Sequence, residues 1–233
     1  MNKIKIATVG LCAAAVVSCG NNTGNGALIG AGGGAVLGAI IGKIAGNTAV
    51  GAAIGATVGT GAGALIGKHM DKVKAEAQAE LDKAKVEEVT DANGLKAVKF
   101  AFDAGILFHS SQSYLNSTSK ANLNKLADLM KKYSTCSVDV YGHTDNQGFK
   151  NSTAEQSAQK NMALSQQRAQ SVVDYMQGKG VAANQFKNVV GKGDTEPVAS
   201  NDTPAGMQQN RRVEIYMYAS QEMVNEANNG TLN

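Results

Sequence analysis

The sequence predicts an α+β domain, with two or three helices packed on a mixed sheet of about four strands, behind a helical hairpin and a helical linker. Three observations carry this. Glycine recurs at every fourth position through most of residues 26–67. A run rich in Lys, Glu, Ala and Gln follows. From Val86 onward, short stretches of period two alternate with longer ones of period 3.6.

The chain begins with the features of an export signal, taken as residues 1–18. Lys3 and Lys5 supply positive charge, and Ile6 to Val17 form an apolar stretch too short to cross a bilayer. The stretch closes on Val16-Val17-Ser18-Cys19-Gly20, which resembles a lipobox. That resemblance implies acylation of Cys19, which would become the new N-terminus of a lipoprotein. A plain secretory signal with an incidental cysteine is the alternative. Residues 19–25 then form a short linker. Cys12 would leave with the signal, and Cys136 would be the one thiol left unmodified, read as a small buried hydrophobe.

The glycine ladder runs Gly26, Gly30, Gly34, Gly38, Gly42, Gly46, then restarts at Gly51, Gly55, Gly59, Gly63 and Gly67, with Ala, Leu, Ile and Val between. Spacing by four lines one helix face with glycine. Such a helix is poor in water, where each glycine costs about 1 kcal/mol relative to alanine. In lipid the bare face lets two backbones pack closely. At about 1.5 Å per residue the two runs reach roughly 31 and 25 Å, and Asn47-Thr48 supplies a polar turn. A hairpin of two crossings is expected, similar to the glycine-zipper segments of bacterial envelope lipoproteins. A flexible spacer and a helix pair lying at the interface remain open. Residues 68–92 are expected to be a solvated helical linker, with Glu80 and Lys83 able to pair across one turn.

The folded domain is placed at residues 93–219. Val86–Thr90 and Leu95–Phe102 flank Asp91-Ala92-Asn93-Gly94, a hairpin turn. Leu123, Leu126, Ala127 and Met130 mark a helix buried on one side, with Ser117 or Ser119 as its cap. Val138 and Val140 turn to one face of a strand. Ser165, Ala169, Val172 and Met176 trace a second helix that Gly178 and Gly180 end. Val189-Val190 and Arg211–Tyr218 complete the strands, and residues 220–233 read as a polar, disordered tail.

Four ordered segments carry a further resemblance. Tyr141-Gly142-His143-Thr144-Asp145-Asn146-Gln147-Gly148, Asn161-Met162-Ala163-Leu164-Ser165-Gln166-Gln167-Arg168-Ala169, Pro197–Thr203 with Asn210-Arg211-Arg212-Val213-Glu214-Ile215, and Asp103–Phe108 look like the motifs of the OmpA-like peptidoglycan-binding domains. The likeness covers about residues 95–219. It implies binding of the diaminopimelate stem peptide of peptidoglycan, whose side-chain end carries an ammonium and a carboxylate. By this resemblance Asp145 receives the ammonium and Arg168 the carboxylate, with Asn161, Thr144, Leu164 and Arg211 completing the pocket. The chain departs from the family in three places. It carries extra residues between Gly148 and Asn161, His109 stands where an aspartate is common, and Met207 where a basic residue is common.

Other chemistry is disfavoured. Net charge is only +3, with no Trp and 5% aromatic residues, so a nucleic-acid partner is not expected. Cys136 and His143 lie seven apart on a strand, which turns them to opposite faces. His143 and Asp145 have no further His or Cys at ligand spacing, so neither a metal nor a cofactor is expected. The expected protein is therefore a non-enzymatic tether with peptidoglycan and outer-membrane lipid as partners, its C-terminal domain in the periplasm. The alternative is an oligomer or scaffold self-associating through the glycine zipper, with wall binding only positioning it.

Overall fold

The computed structural model describes residues 58–108 and 112–232. The export signal, Cys19, the glycine ladder before Val58 and His109 lie outside the described residues.

The first element is helix α1 (Thr60–Glu80), followed by strands β1 (Lys85–Thr90) and β2 (Lys96–Asp103). The expected hairpin is present, with Thr90 paired to Lys96 and Lys85 to Ala101. Asp91 closes the turn by accepting from the amides of Asn93 (2.8 Å) and Leu95 (2.9 Å), while Gly94 takes φ 77°, a region that suits glycine. A short helix α2 (Ala104–Leu107) leads to α3 (Ser117–Lys132). The cap of α3 is Asn116, whose side chain accepts from the Ser119 amide at 2.8 Å, one position before the expected serine. Strand β3 (Cys136–Gly142), helix α4 (Ala154–Gly178), strand β4 (Phe186–Gly191), helix α5 (Pro204–Asn210), strand β5 (Arg212–Ala219) and helix α6 (Gln221–Asn228) complete the chain.

The sheet has five strands in the order β1-β2-β5-β3-β4. All neighbours are antiparallel except β3 and β4, which run parallel through the α4 crossover. Alternation along β5 sends Val213, Ile215, Met217 and Ala219 into the main core with the helices. Tyr216 and Tyr218 turn to the other face, where they pack with Tyr141, Val89 and Ala97.

Two expectations about the chain's ends are corrected. The segment from Thr60 to Glu80 is one helix that crosses the boundary drawn between Gly67 and Lys68, and it is not a free stalk. Ala62, Ile66, Met70, Val73 and Ala77 recur at three- and four-residue steps and are buried in the same core as the sheet. Its charges reach the domain too: Lys74 pairs with Glu88 (3.2 Å), Asp71 with Lys96 (2.6 Å) and Glu76 with Lys132 (2.7 Å). The domain therefore starts near Thr60, not at residue 93. Burying an Ile or Met side chain contributes roughly 1.5–3 kcal/mol, which a solvated linker would forgo. Among the described residues, no helix is long and apolar enough to cross a membrane.

The polar tail is also ordered. Ser220 caps α6 by accepting from the Met223 amide at 3.1 Å, and Met223, Val224 and Ala227 are buried. The helix lies against α1, where Asn228 Oδ1 accepts from the Gly59 amide at 3.0 Å.

Candidate functional site

The site sits where β3 ends. Three backbone hydrogen bonds pin its exit: the His143 amide to Arg212 O (2.9 Å), the Thr144 amide to Gly193 O (2.8 Å), and the Lys192 amide to Gly142 O (2.8 Å). The ends of β4 and β5 thereby fix the direction in which residues 144–148 leave the sheet.

Helix α4 approaches this corner closely. A Cβ at Gly142 would collide with the Ser165 carbonyl, and one at Gly191 with the Gln166 backbone. Ser165 Oγ accepts from the Gly193 amide at 2.9 Å, and Gln166 Oε1 accepts from the Gly191 amide at 2.6 Å. Helix α4 starts at Ala154, where Thr153 and Gln156 form a reciprocal capping box. Asn161, Leu164 and Arg168, spaced at three, four and seven, then face one way.

The NRR motif divides its residues by task. Asn210 is fully buried and ties down the preceding loop, accepting from the amides of Val198 (2.8 Å) and Ala199 (3.0 Å). Arg211 projects to the site, while Arg212 turns to the opposite face and lies 2.7 Å from Glu214 Oε1.

These elements enclose a cavity of about 600 Å³, within the usual range for small-molecule sites. All six residues expected at the site line it: Thr144, Asp145, Asn161, Leu164, Arg168 and Arg211. Phe108 and Phe149 supply apolar wall, and Ala104, Gly105, Gln147 and Gly148 complete the lining.

The polar contacts differ from a simple Asp145–Arg168 pair. Asp145 Oδ2 is taken by Arg211 Nη1, and Oδ1 accepts from the Gln147 amide at 3.2 Å. Arg168 donates from Nε to Gln112 O at 3.1 Å, and its guanidinium stands 5.3 Å over the Phe108 ring. Its two Nη groups have no hydrogen-bond partner among the described residues. Burial and then the nearby Arg211 pull the Arg168 pKa below its ordinary value, with Asp145 opposing them. Asn161 supports the loop: its Nδ2 donates to Asp145 O (3.3 Å) and Gln147 O (3.2 Å). The Thr144 hydroxyl is buried without a hydrogen-bond partner among the described residues.

His143 stands on the other side of the sheet, with Nε2 3.7 Å from Glu214 Oε2. Lys99 Nζ reaches Glu214 Oε1 at 2.7 Å and Tyr216 donates to Oε2 at 2.6 Å. Cys136 is in the core beside Met70 Sδ (4.0 Å), and burial pushes its thiol up to about 12. His143 and Cys136 thus belong to separate environments. Among the described residues no group of three His, Cys, Asp or Glu side chains converges as a metal site.

Residues 107–211 match the model of the OmpA family. The stretch is an OmpA-like domain. Residues 1–71 match the YMGG-like Gly-zipper model, which therefore runs into the first half of α1. The OmpA-like domain is 43% identical over 93 residues to a protein of Mycobacterium tuberculosis named peptidoglycan-binding protein ArfA. That match covers 40% of this chain and only 26% of the mycobacterial protein. The probable lipoprotein YiaD of Escherichia coli is 38% identical over 110 residues, 47% of this chain and 46% of that one. The chain thus spans less than half of either relative.

Among solved structures, the cell wall anchor of the T6SS from Pseudomonas aeruginosa is similar at a TM-score of 0.51 and 31% identity, over 65% of this chain and 97% of that one. A putative MotB like protein from Desulfovibrio vulgaris aligns at a TM-score of 0.56 and 19% identity, over 68% and 96% of the two chains, and shares the fold.

Proposed function

We propose that the OmpA-like domain binds the stem peptide of peptidoglycan through its diaminopimelate end, and that the chain tethers the outer membrane to the cell wall without catalysing a reaction. The observation that carries this reading is the convergence of Asp145, Arg168 and Arg211 in one cavity, with the Arg168 Nη donors unpartnered among the described residues. An ammonium would bind Asp145, whose carboxylate has acceptor capacity left after Arg211 and Gln147. The adjoining carboxylate would bind Arg168, whose fork matches it in a bidentate way. Each charge-assisted bond contributes roughly 1.5–3 kcal/mol. Phe108 beneath the guanidinium limits its motion. The names of two similar proteins, one peptidoglycan-binding and one a cell wall anchor, support the same reading.

The membrane end rests on the sequence. Acylation at Cys19 would supply the anchor, and the YMGG-like Gly-zipper match over residues 1–71 favours a packed helical segment beside it. That match also supports the second reading, self-association through the zipper. A chain that sediments as a monomer in detergent would set self-association aside.

The test of binding is sedimentation of the full chain, in detergent, with purified sacculi. The wild-type chain should pellet with the wall, and Asp145→Ala and Arg168→Ala should both remain in the supernatant while keeping the wild-type fold. Pelleting of all three alike would refute the pocket.

A further inference from the structure

Among the described residues, the ionisable side chains lining the cavity do not balance for a neutral zwitterion: two guanidiniums, Arg168 and Arg211, face one carboxylate, Asp145. Arg168 is 4% exposed and lies deep, whereas the Arg211 side chain is 36% exposed and lies at the mouth. A ligand end carrying one ammonium and one carboxylate would satisfy Asp145 and Arg168 and leave Arg211 with nothing but Asp145 to neutralise it. Bringing the ammonium to Asp145 also weakens the hold of that carboxylate on Arg211. The buried Thr144 hydroxyl, without a partner among the described residues, is a further polar group on the same wall.

We propose that the pocket reads a second carboxylate of the same ligand, received by Arg211 at the mouth, so that it prefers stem peptides with two free carboxylates beside the ammonium. The inference rests on the stem-peptide reading above and adds to it the charge state selected. Because Arg211 lies outward of Arg168, the second carboxylate belongs to the part of the stem nearer its main chain. Two groups have that chemistry: the α-carboxylate of the diamino acid in a stem that ends there, and the α-carboxylate of the adjacent γ-linked glutamyl residue.

Calorimetric titration of the full chain in detergent with three synthetic stem tripeptides tests this. The first has every carboxylate free, the second has the α-carboxylate of its diamino acid as a carboxamide, and the third has the glutamyl α-carboxylate as a carboxamide. One of the carboxamides should bind about tenfold more weakly than the free tripeptide, equivalent to about 1.4 kcal/mol, and which one it is identifies the source. Arg211→Gln should bind the free tripeptide as weakly and lose the discrimination, while Arg211→Lys should retain part of it. Equal affinity of the wild-type chain for all three peptides would overturn the second-carboxylate site and leave the stem-binding reading standing. Discrimination unchanged in Arg211→Gln would overturn it as well. If none of the peptides binds, both readings fall.

Discussion

Asp145 is ion-paired to Arg211, while Arg168 is held instead by the Gln112 carbonyl and the face of Phe108. The carboxylate and the deeper guanidinium are thus fixed independently, from different elements, and neither needs the other to stay in place. A site built this way leaves Arg168 available to a carboxylate without first breaking a pair with Asp145, while an arriving ammonium would share Asp145 with Arg211.

Arg168→Lys should therefore reduce wall binding by about tenfold or more, since an ammonium offers no bidentate fork and no flat surface for Phe108. The urea midpoint should change little, because the lost protein contacts are one hydrogen bond and one ring contact. Co-sedimentation and an unfolding curve on the same sample check both halves.

Gly142→Ala should destabilise the domain by about 1–3 kcal/mol, the usual cost of overpacking. The new methyl meets the Ser165 backbone and no movable side chain end, so α4 must shift away from β3. Affinity should fall as well, since Asn161 and Arg168 ride on that helix. Chemical denaturation of the variant gives the first number and sacculus binding the second.

Helix α1 should behave as part of the domain. Met70 is fully buried, so Met70→Ala should cost about 2–5 kcal/mol. A solvated linker would show almost no loss. Removing residues 221–233 should expose the same region and lower the melting temperature, because Met223 and Val224 pack there.

Much of the domain was legible from the chain, and the parts that were not have identifiable reasons. The stripes of α3 and α4 lie within stretches of uniform character, so Leu123, Leu126, Val172 and Met176 stand out. All six expected pocket residues line one cavity because their motifs fall at the strand end, on one helix face and in the loop that meet there. The α1 stripe was hidden because Ala62 and Ile66 sit among glycines, whereas Met70, Val73 and Ala77 sit among charges. Neither half showed a face by itself. Helix α6 offers three apolar residues in a polar stretch, too few to mark a helix without α1 beside it. The partners of Asp145 and Arg168 depend on how Gln112 and Arg211 approach through space, which no spacing along the chain reveals.

Stability should fall on the acid side. Burial alone would raise the Glu214 pKa, but His143, Arg212 and Lys99 outweigh it and hold the carboxyl far below its usual 4.5. Burial holds His143 below its usual 6.5. In both cases the unfolded chain binds more protons than the folded one, so stability rises with pH. The His143 contribution is present above pH 6.5 and declines below it, and that of Glu214 declines below pH 4.5. Glu214→Gln should flatten the lower limb in thermal melts taken between about pH 3 and 8, while His143→Gln should flatten the upper one.

In the proposed function the cavity recognises an ammonium and a carboxylate on one carbon at the end of a side chain. Competition tests this: the full chain bound to sacculi is challenged with a stem tripeptide ending in diaminopimelate or with the same tripeptide ending in lysine, whose side chain ends in an ammonium without a carboxylate. Release by the diaminopimelate tripeptide and not by an equal concentration of the lysine tripeptide is the predicted result. Equal release by both, or by neither, would contradict recognition through Asp145 and Arg168.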